Sequence, residues 1–420
     1  MQSFGAQFVA IPGAGTTNFD RSLLVFGALL VFGALLAGVA RRSFLSLAAL
    51  FVIGGFALGD GGLEVLSFDA RSTFVDELAI VALVVILFRD GLEVEGEMLQ
   101  RAWRLPLRKL ALAMPLTAAI VAGAAKLFTD LSWNEAFLLG ALLSPTDPVL
   151  SSSVVSNPRV PRLVRHSLNL ESGMNDGLAL PAVLAFAAAL ETTNNDFVWW
   201  RFILQDVTLG LLYGVVIGLV ASVLLPRGRG LKDRVTEHQK ALSAIGVAAA
   251  TYGATVIEPH GNGFIGVFVC AITLGIRRPD IREAFAQRSE DLIEVLKLVI
   301  FVVFGALLTV DGLFGDGWAA VGIVAVTLFV ARPVAIFSAL AGTRIDVATK
   351  AFMAWFGPKG VATMAFSLLI LGRSIPSGER IFNLAALAVF CSIILHGLTD
   401  TPGSNWLGRR AERAESGDAA

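Results

Sequence analysis

The stretch Leu168-Asn169-Leu170-Glu171-Ser172-Gly173-Met174-Asn175-Asp176-Gly177 runs directly into the apolar segment Leu178 to Leu190. Two carboxylates, Glu171 and Asp176, therefore stand in or beside hydrocarbon. Even on insertion-based scales an Asp at mid-membrane costs about 2.5 to 3.5 kcal/mol, so an acid kept there is a functional candidate and should bind something that changes its charge. The rest of the chain supports a lipid setting: of 420 residues 55% are hydrophobic and only 16% charged, with mean hydropathy +0.72. This is the composition of an all-α polytopic membrane protein. The net charge of −1 gives no reason to expect a nucleic-acid partner. Cys270 and Cys391 fall in separate apolar runs and read as small buried residues, not as a disulfide or a metal site.

Runs of roughly 20 apolar residues occur near 22–40, 44–60, 75–89, 107–128, 132–155, 163–189, 202–225, 239–257, 261–276, 291–310, 317–342, 348–372 and 380–399, about 13 transmembrane helices in all. The positive-inside rule tests that number. Of the 33 Lys and Arg residues, 24 lie on segments that follow odd-numbered spans and six on the opposite side, with Lys297, Arg332 and Lys359 inside spans. A missed or invented helix would scramble this division. It leads us to expect residues 1–21 outside the cell, the transmembrane domain at 22–400, and residues 401–420 as a short cytoplasmic tail; no regulatory domain is expected after it. The segment Arg89 to Lys109 reads as a solvated or interfacial stretch, and Lys297 as a partner of Glu294 near a span end.

Two spans carry breaks. Ser144-Pro145-Thr146-Asp147-Pro148 puts two prolines within one helical turn of the fifth, and Gly357-Pro358-Lys359-Gly360 interrupts the twelfth. Irregular backbone at membrane depth is tolerated only where it is buried in protein or lines a cavity. If spans 1–6 (about 22–190) and 8–13 (about 238–400) are two repeats joined by a linker span at about 201–225, each break falls fifth in its repeat. The odd linker inverts the second repeat against the first, the plan by which secondary transporters build a midplane site from crossed half-helices.

Facing half-helix N-termini call for an acid and facing C-termini for a base, roles that suit Asp147 and Lys359. Ser172 and Asp176 are i and i+4 and share a helix face, and Glu171 and Asn175 form a second such pair. A hydroxyl, a carboxylate and carbonyls freed at the Thr146 break make an all-oxygen site for a hard cation such as Na⁺ or Li⁺. Cation and proton would compete for Asp176, which suffices for exchange if the empty, charged site cannot cross. The four histidines, His166, His238, His260 and His396, are scattered and read as surface or packing residues. No cofactor is expected.

Thr146-Asp147-Pro148, Glu171 to Gly177, Ala331-Arg332-Pro333 and Gly357-Pro358-Lys359-Gly360-Val361-Ala362 occur in an order that resembles the monovalent cation/proton antiporter superfamily, in particular its sodium/proton exchanger branch with the Asn-Asp pair. The resemblance covers nearly the whole chain. It implies a transporter in the inner (cell) membrane, usually a homodimer in the lipid bilayer, that exchanges a monovalent cation for H⁺ by alternating access. It further implies Asp176 as the transport carboxylate, Ser172 and the Thr146 backbone as ligands, Asn175 fixing that region, Glu171 held by Arg332, and Asp147 with Lys359 compensating the crossed half-helices. Many relatives carry Arg where this chain has Lys359. The Asn-Asp pair is the pattern associated with electroneutral exchange. Two alternatives stand beside this one: K⁺/H⁺ exchange on the same fold, and an intramembrane aspartyl protease using Asp147 and Asp176. The protease reading lacks a Gly-Asp pair inside any span and gives no reason for Lys359.

Overall fold

The computed structural model describes residues 47–94, 104–147, 157–158, 160–191, 197–225, 236–257 and 261–415, with 23–24, 26–28 and 30–31. Its helices follow the apolar runs. They are α1 (Leu47–Leu58), α2 (Thr73–Glu93), α3 (Leu105–Phe128), α4 (Trp133–Leu143), α5 (Arg162–Leu190), α6 (Trp199–Leu224) and α7 (Glu237–Ile257). The second half contains α8 (Gly263–Arg277), α9 (Pro279–Ala306), the short α10 (Val310–Phe314), α11 (Trp318–Ala339), α12 (Val347–Trp355), α13 (Val361–Gly372) and α14 (Gly378–Glu415). Among the described residues, α3, α5, α6, α7, α11 and α14 are long and apolar enough to cross a membrane. Most of the first expected span, and the continuation of the fifth from Pro148, lie outside the described residues.

Local chemistry sets the helix starts. Ser132 and Glu135 form a reciprocal capping box on α4: Ser132 Oγ accepts from the Glu135 N–H and Glu135 Oε2 accepts from the Ser132 N–H at 2.7 Å. Asn262 caps α8 and Asp346 caps α12 in the same way through a single side-chain oxygen. The end of the chain departs from the sequence expectation. Where a polar tail should follow the last span at 399, α14 continues through Pro402 to Glu415. Packing explains the continuation: Leu407 is buried in one apolar cluster with Phe352, Phe356 and Val164, and Gly403 lies against the Phe356 ring.

Close helix contacts depend on small residues, because lipid tails give apolar side chains no preference for each other. Gly210, Gly214 and Gly218 recur at i, i+4 and i+8 on α6 and let it approach the α8 backbone at Asn262, Gly266 and Cys270. Gly55 of α1 and Gly305 of α9 meet reciprocally, each against a carbonyl of the other helix. The opposite face of α6 leaves Ile203, Leu211, Leu212, Val216 and Val223 exposed, which suits lipid as the solvent. Away from the spans, Arg380 at the start of α14 donates to Asp316 and, at 2.6 Å, to Asp130. The Arg380 hydrogen bond holds the exposed Asp130 carboxyl below its usual range, so this tie is fully present above that range and is lost as pH falls below it, through the lowered value.

A side chain at Gly214 would strike the Gly266 carbonyl and Val269. Gly214→Val should lower the unfolding temperature in detergent, by the ~1–3 kcal/mol of an overpacked interface. Gly246→Ala, at a position with open space around it, should leave that temperature unchanged or raise it.

Candidate functional site: two crossed breaks and a buried carboxylate

Helix α4 stops at Leu143, and the chain runs on without helical form through Ser144 to Asp147. Proline explains the stop, since Pro145 supplies no N–H to extend the ladder, while Ser144 itself keeps helical dihedrals as the cap of α4. Helix α12 stops at Trp355, and Phe356 to Gly360 cross to the start of α13 without helical form, through a tight turn at Phe356 and an extended Gly360. The two irregular segments meet. The Asp147 N–H donates to the Pro358 carbonyl at 2.8 Å, and Lys359 Nζ donates to the Pro145 carbonyl at 3.3 Å. Lys359, 1% exposed, thereby lies beside the C-terminal ends of α4 and α12, where a cation offsets the partial negative charge of free carbonyls. A Cβ at Gly360 would fall on the Asp147 side chain, so glycine permits the close crossing there, and one at Gly357 would fall on the Arg332 guanidinium.

Further side chains pair with the backbone in and beside the second break. Arg332 Nη2 donates to the Met353 carbonyl at 3.2 Å, His396 Nε2 lies 2.8 Å from the Trp355 carbonyl, and Ser392 Oγ accepts from the Lys359 N–H at 2.9 Å. His396, buried on α14, is thus a packing and bracing residue.

Helix α5 stays unbroken through Pro181 and presents Glu171, Asn175 and Asp176 to this crossing. Asn175 Nδ2 donates to the Thr146 carbonyl at 2.6 Å and lies 3.2 Å from Thr146 Oγ1. Its Oδ1 is buried and has no partner. Asp176 is 6% exposed, and its charged neighbours are Asp90, Asp147, Arg89 and Lys297. Ser172 is half-buried one turn earlier. Glu171 divides its oxygens: Oε1 accepts from Arg332 Nη1 at 2.8 Å and Oε2 from Lys109 Nζ at 2.6 Å.

Three of these residues were missed or misread in the sequence. Lys109 belongs to no solvated stretch; its side chain is fully buried in α3. Asp90, 2% exposed and paired with Arg89 at 2.5 Å, is buried on α2 near Asp176. Lys297 has Asp147, Asp90 and Glu93 as its acidic neighbours, in place of the expected Glu294. A lysine or aspartate close to the end of an apolar run carries the same sequence signal as a loop residue, and only the inward helix face distinguishes them.

Residues 28–406 match the model of the transmembrane sodium/hydrogen exchanger family. The chain belongs to that family. Exchangers of this kind are transporters and not enzymes, so the protease alternative falls away. This exchanger is 26% identical over 392 residues to the K⁺/H⁺ antiporter NhaP of Alkalimonas amylolytica, covering 92% of this chain and 67% of that protein. It is 24% identical over 386 residues to the K⁺/H⁺ antiporter NhaP2 of Shewanella sp. strain ANA-3, covering 90% and 66% respectively. The chain therefore spans about two thirds of the length of these relatives. The fold is that of the sodium proton antiporter MjNhaP1 from Methanocaldococcus jannaschii, with TM-score 0.76 over 94% of this chain and 98% of that one, at 18% identity. Family and fold identify a multi-pass integral membrane cation/proton antiporter.

Gly360→Ala should abolish cation/proton exchange in proteoliposomes while the protein still inserts, because the added methyl separates the two breaks. Gly123→Ala, with nothing near its Cβ, should transport normally.

Proposed function

We propose that the exchanger carries Na⁺ or Li⁺ in one direction and H⁺ in the other by alternating access, the two competing for the Asp176 carboxylate. The observation that carries this reading is a buried carboxylate whose helix is bonded to a break in the backbone. Asp176 would supply charge, Ser172 a hydroxyl and Thr146 its carbonyl. Asn175 Oδ1, buried and without a partner, would be the fourth protein oxygen, while its amide fixes Thr146. All of these are hard donors suited to an alkali cation. Asp147 and Lys359 would balance the half-helix ends, and Glu171 with Arg332 would hold the frame.

One proton against one monovalent cation makes the exchange electroneutral, in keeping with the Asn-Asp pair. A homodimer in the inner membrane, with the N-terminus outside, completes the reading; two six-helix repeats of opposite orientation, joined by α6 as linker, would underlie the two-sided access. K⁺ is the second reading, favoured by the names of the NhaP relatives.

Dissipation of an imposed pH gradient in vesicles tests the proposal, with Na⁺, Li⁺ and K⁺ added in turn. A native response to Na⁺ or Li⁺ that Asp176→Asn loses supports it, and a response to K⁺ alone selects the second reading. Competition sets a further requirement. Where Asp176 is largely protonated, the apparent KM for the cation should rise about tenfold for each unit of pH lowered, with unchanged maximal rate. A cation KM independent of pH, or a mutant that matches the native chain, would remove Asp176 from the central role.

A further inference from the structure

Glu171 has two cationic partners, although a single Arg332 could satisfy both of its oxygens in a bidentate fork. The second partner, Lys109, donates to Glu171 Oε2 at 2.6 Å and to the Ser167 carbonyl at 3.1 Å. Ser167 and Glu171 are one turn apart on α5, so Lys109 fastens α3 to the helix that carries Asp176.

Both cations stand at the edge of a widened turn. Lys109 opens the π-helical turn Lys109–Ala113 of α3, and Arg332 directly follows the π-helical turn Thr327–Ala331 of α11. Each turn lies within two residues of a proline, Pro115 and Pro333, that cannot donate to the carbonyl four residues before it. A π-turn inserts one residue and rotates the preceding helix face by about 100°. Two helices thus carry the same device, and each presents a cation to the same carboxylate.

The division of Glu171 has a consequence for Arg332. With Oε2 occupied by Lys109, Arg332 engages Glu171 through Nη1 alone. Nη1 then also reaches Thr146 Oγ1 at 3.5 Å, and Nη2 is left for the Met353 carbonyl near the end of α12. If Oε2 were open, the guanidinium would turn to take both oxygens and withdraw from Met353 and Thr146.

We infer that Lys109 is a positioning residue for the exchange: by occupying Glu171 Oε2 it keeps Arg332 bridging both breaks, and so holds Thr146 in place for the transported cation. Lys109 touches neither the cation nor Asp176 and acts through Glu171. The inference rests on the antiport reading given above for its transport consequence, whereas the coupling of Lys109 to Glu171 does not.

The experiment compares Lys109→Met, Lys109→Arg, Glu171→Gln and the double variant Lys109→Met/Glu171→Gln in two assays. In proteoliposomes, with whichever of Na⁺, Li⁺ or K⁺ the native chain exchanges, Lys109→Met should raise the apparent cation KM roughly tenfold, the equivalent of one charge-assisted hydrogen bond, with a smaller change in maximal rate. Lys109→Arg should restore most of the native KM. The double variant should have the KM of Glu171→Gln alone, because without the carboxylate Lys109 has nothing to divide. In detergent, Lys109→Met should lower the unfolding temperature in the native background and lower it less, or raise it, beside Glu171→Gln. A native KM in Lys109→Met, or equal effects of Lys109→Met in both backgrounds, overturns the inference. If Lys109→Met does not fold, failure of the double variant to recover a folded state overturns it as well. Absence of any cation-driven flux in the native chain counts against the antiport reading instead, and the unfolding cycle then still decides whether Lys109 works through Glu171.

Discussion

The structure depends on a shortage of water at the point where two helices are broken. A stopped helix leaves up to four carbonyls without an internal partner, and a buried polar group left unpaired costs several times what a hydrogen bond contributes on balance. In this protein the two breaks supply each other. The Asp147 N–H finds Pro358, the Lys359 ammonium finds Pro145, and the remaining free groups near Trp355 are met from outside by Arg332, Ser392 and His396. The crossing therefore dictates which side chains must converge on it and from which helices, α11 and α14 among them. Gly360 follows from the same constraint, as a Cβ there would strike the Asp147 side chain of the first break, and Gly357 leaves room for the Arg332 guanidinium.

The convergence brings charge with it, and the charges nearly cancel. Glu171, Asp147 and Asp176 stand against Lys109, Arg332 and Lys359, all of them buried. Isolated, each would be intolerably expensive in a low dielectric, but ion pairs and charge-assisted hydrogen bonds reduce that cost. Glu171 is committed to two of the cations at hydrogen-bond distance, and Lys359 to a carbonyl. Asp176 has no such close cationic partner among its charged neighbours. On the proposed reading, that difference would separate the acid that exchanges its ligand from the acid that holds the frame. On the exchange proposed above, bound Na⁺ and bound H⁺ each add one positive charge to Asp176, so the two loaded forms present the same net charge to the membrane.

How much of this could be read in the sequence varied with the kind of signal. Apolar runs located the described helices closely, because burial in lipid or protein demands an uninterrupted stretch of suitable length. Prolines and glycines located both breaks for the equally direct reason that they remove donors or side chains. The signal failed where a residue near the end of a span turned inward. Lys109, Asp90 and Lys297 look like interfacial charges in sequence, and Lys109 stands at the start of a π-helical turn, which apolar periodicity does not register. The extension of α14 past residue 400 was hidden for another reason: a polar run with a proline reads as a stop, yet Leu407 is held by Phe352 and Phe356, contacts that exist only in the folded chain. Asn175 was visible as a spacer, but its division into a bonded amide and an orphaned oxygen was not.

Asp176 also marks a seam. Its own helix packs on α3, α4 and the α11 to α13 region, whereas its other side meets α2 and α8. On that side α5 carries Gly173 and Gly177, one turn apart: a Cβ added at Gly173 would lie 3.7 Å from the Asp90 carbonyl of α2, and one at Gly177 would strike the Phe268 ring of α8. Side chains at those two positions would interlock α5 with its neighbours, as ridges do in grooves. Glycine leaves a smooth strip beside the carboxylate instead. Every hydrogen bond recorded above for Glu171 and Asn175 joins α5 to the other face, to Lys109, Arg332 and Thr146. The bonds named for Glu171 and Asn175 thus tie the helix to the side of the breaks, an asymmetry that would suit the alternating access proposed above. If the bundle containing the breaks moved as a unit past α2 and α8, the bonds around the proposed cation site would not need to be broken in transit.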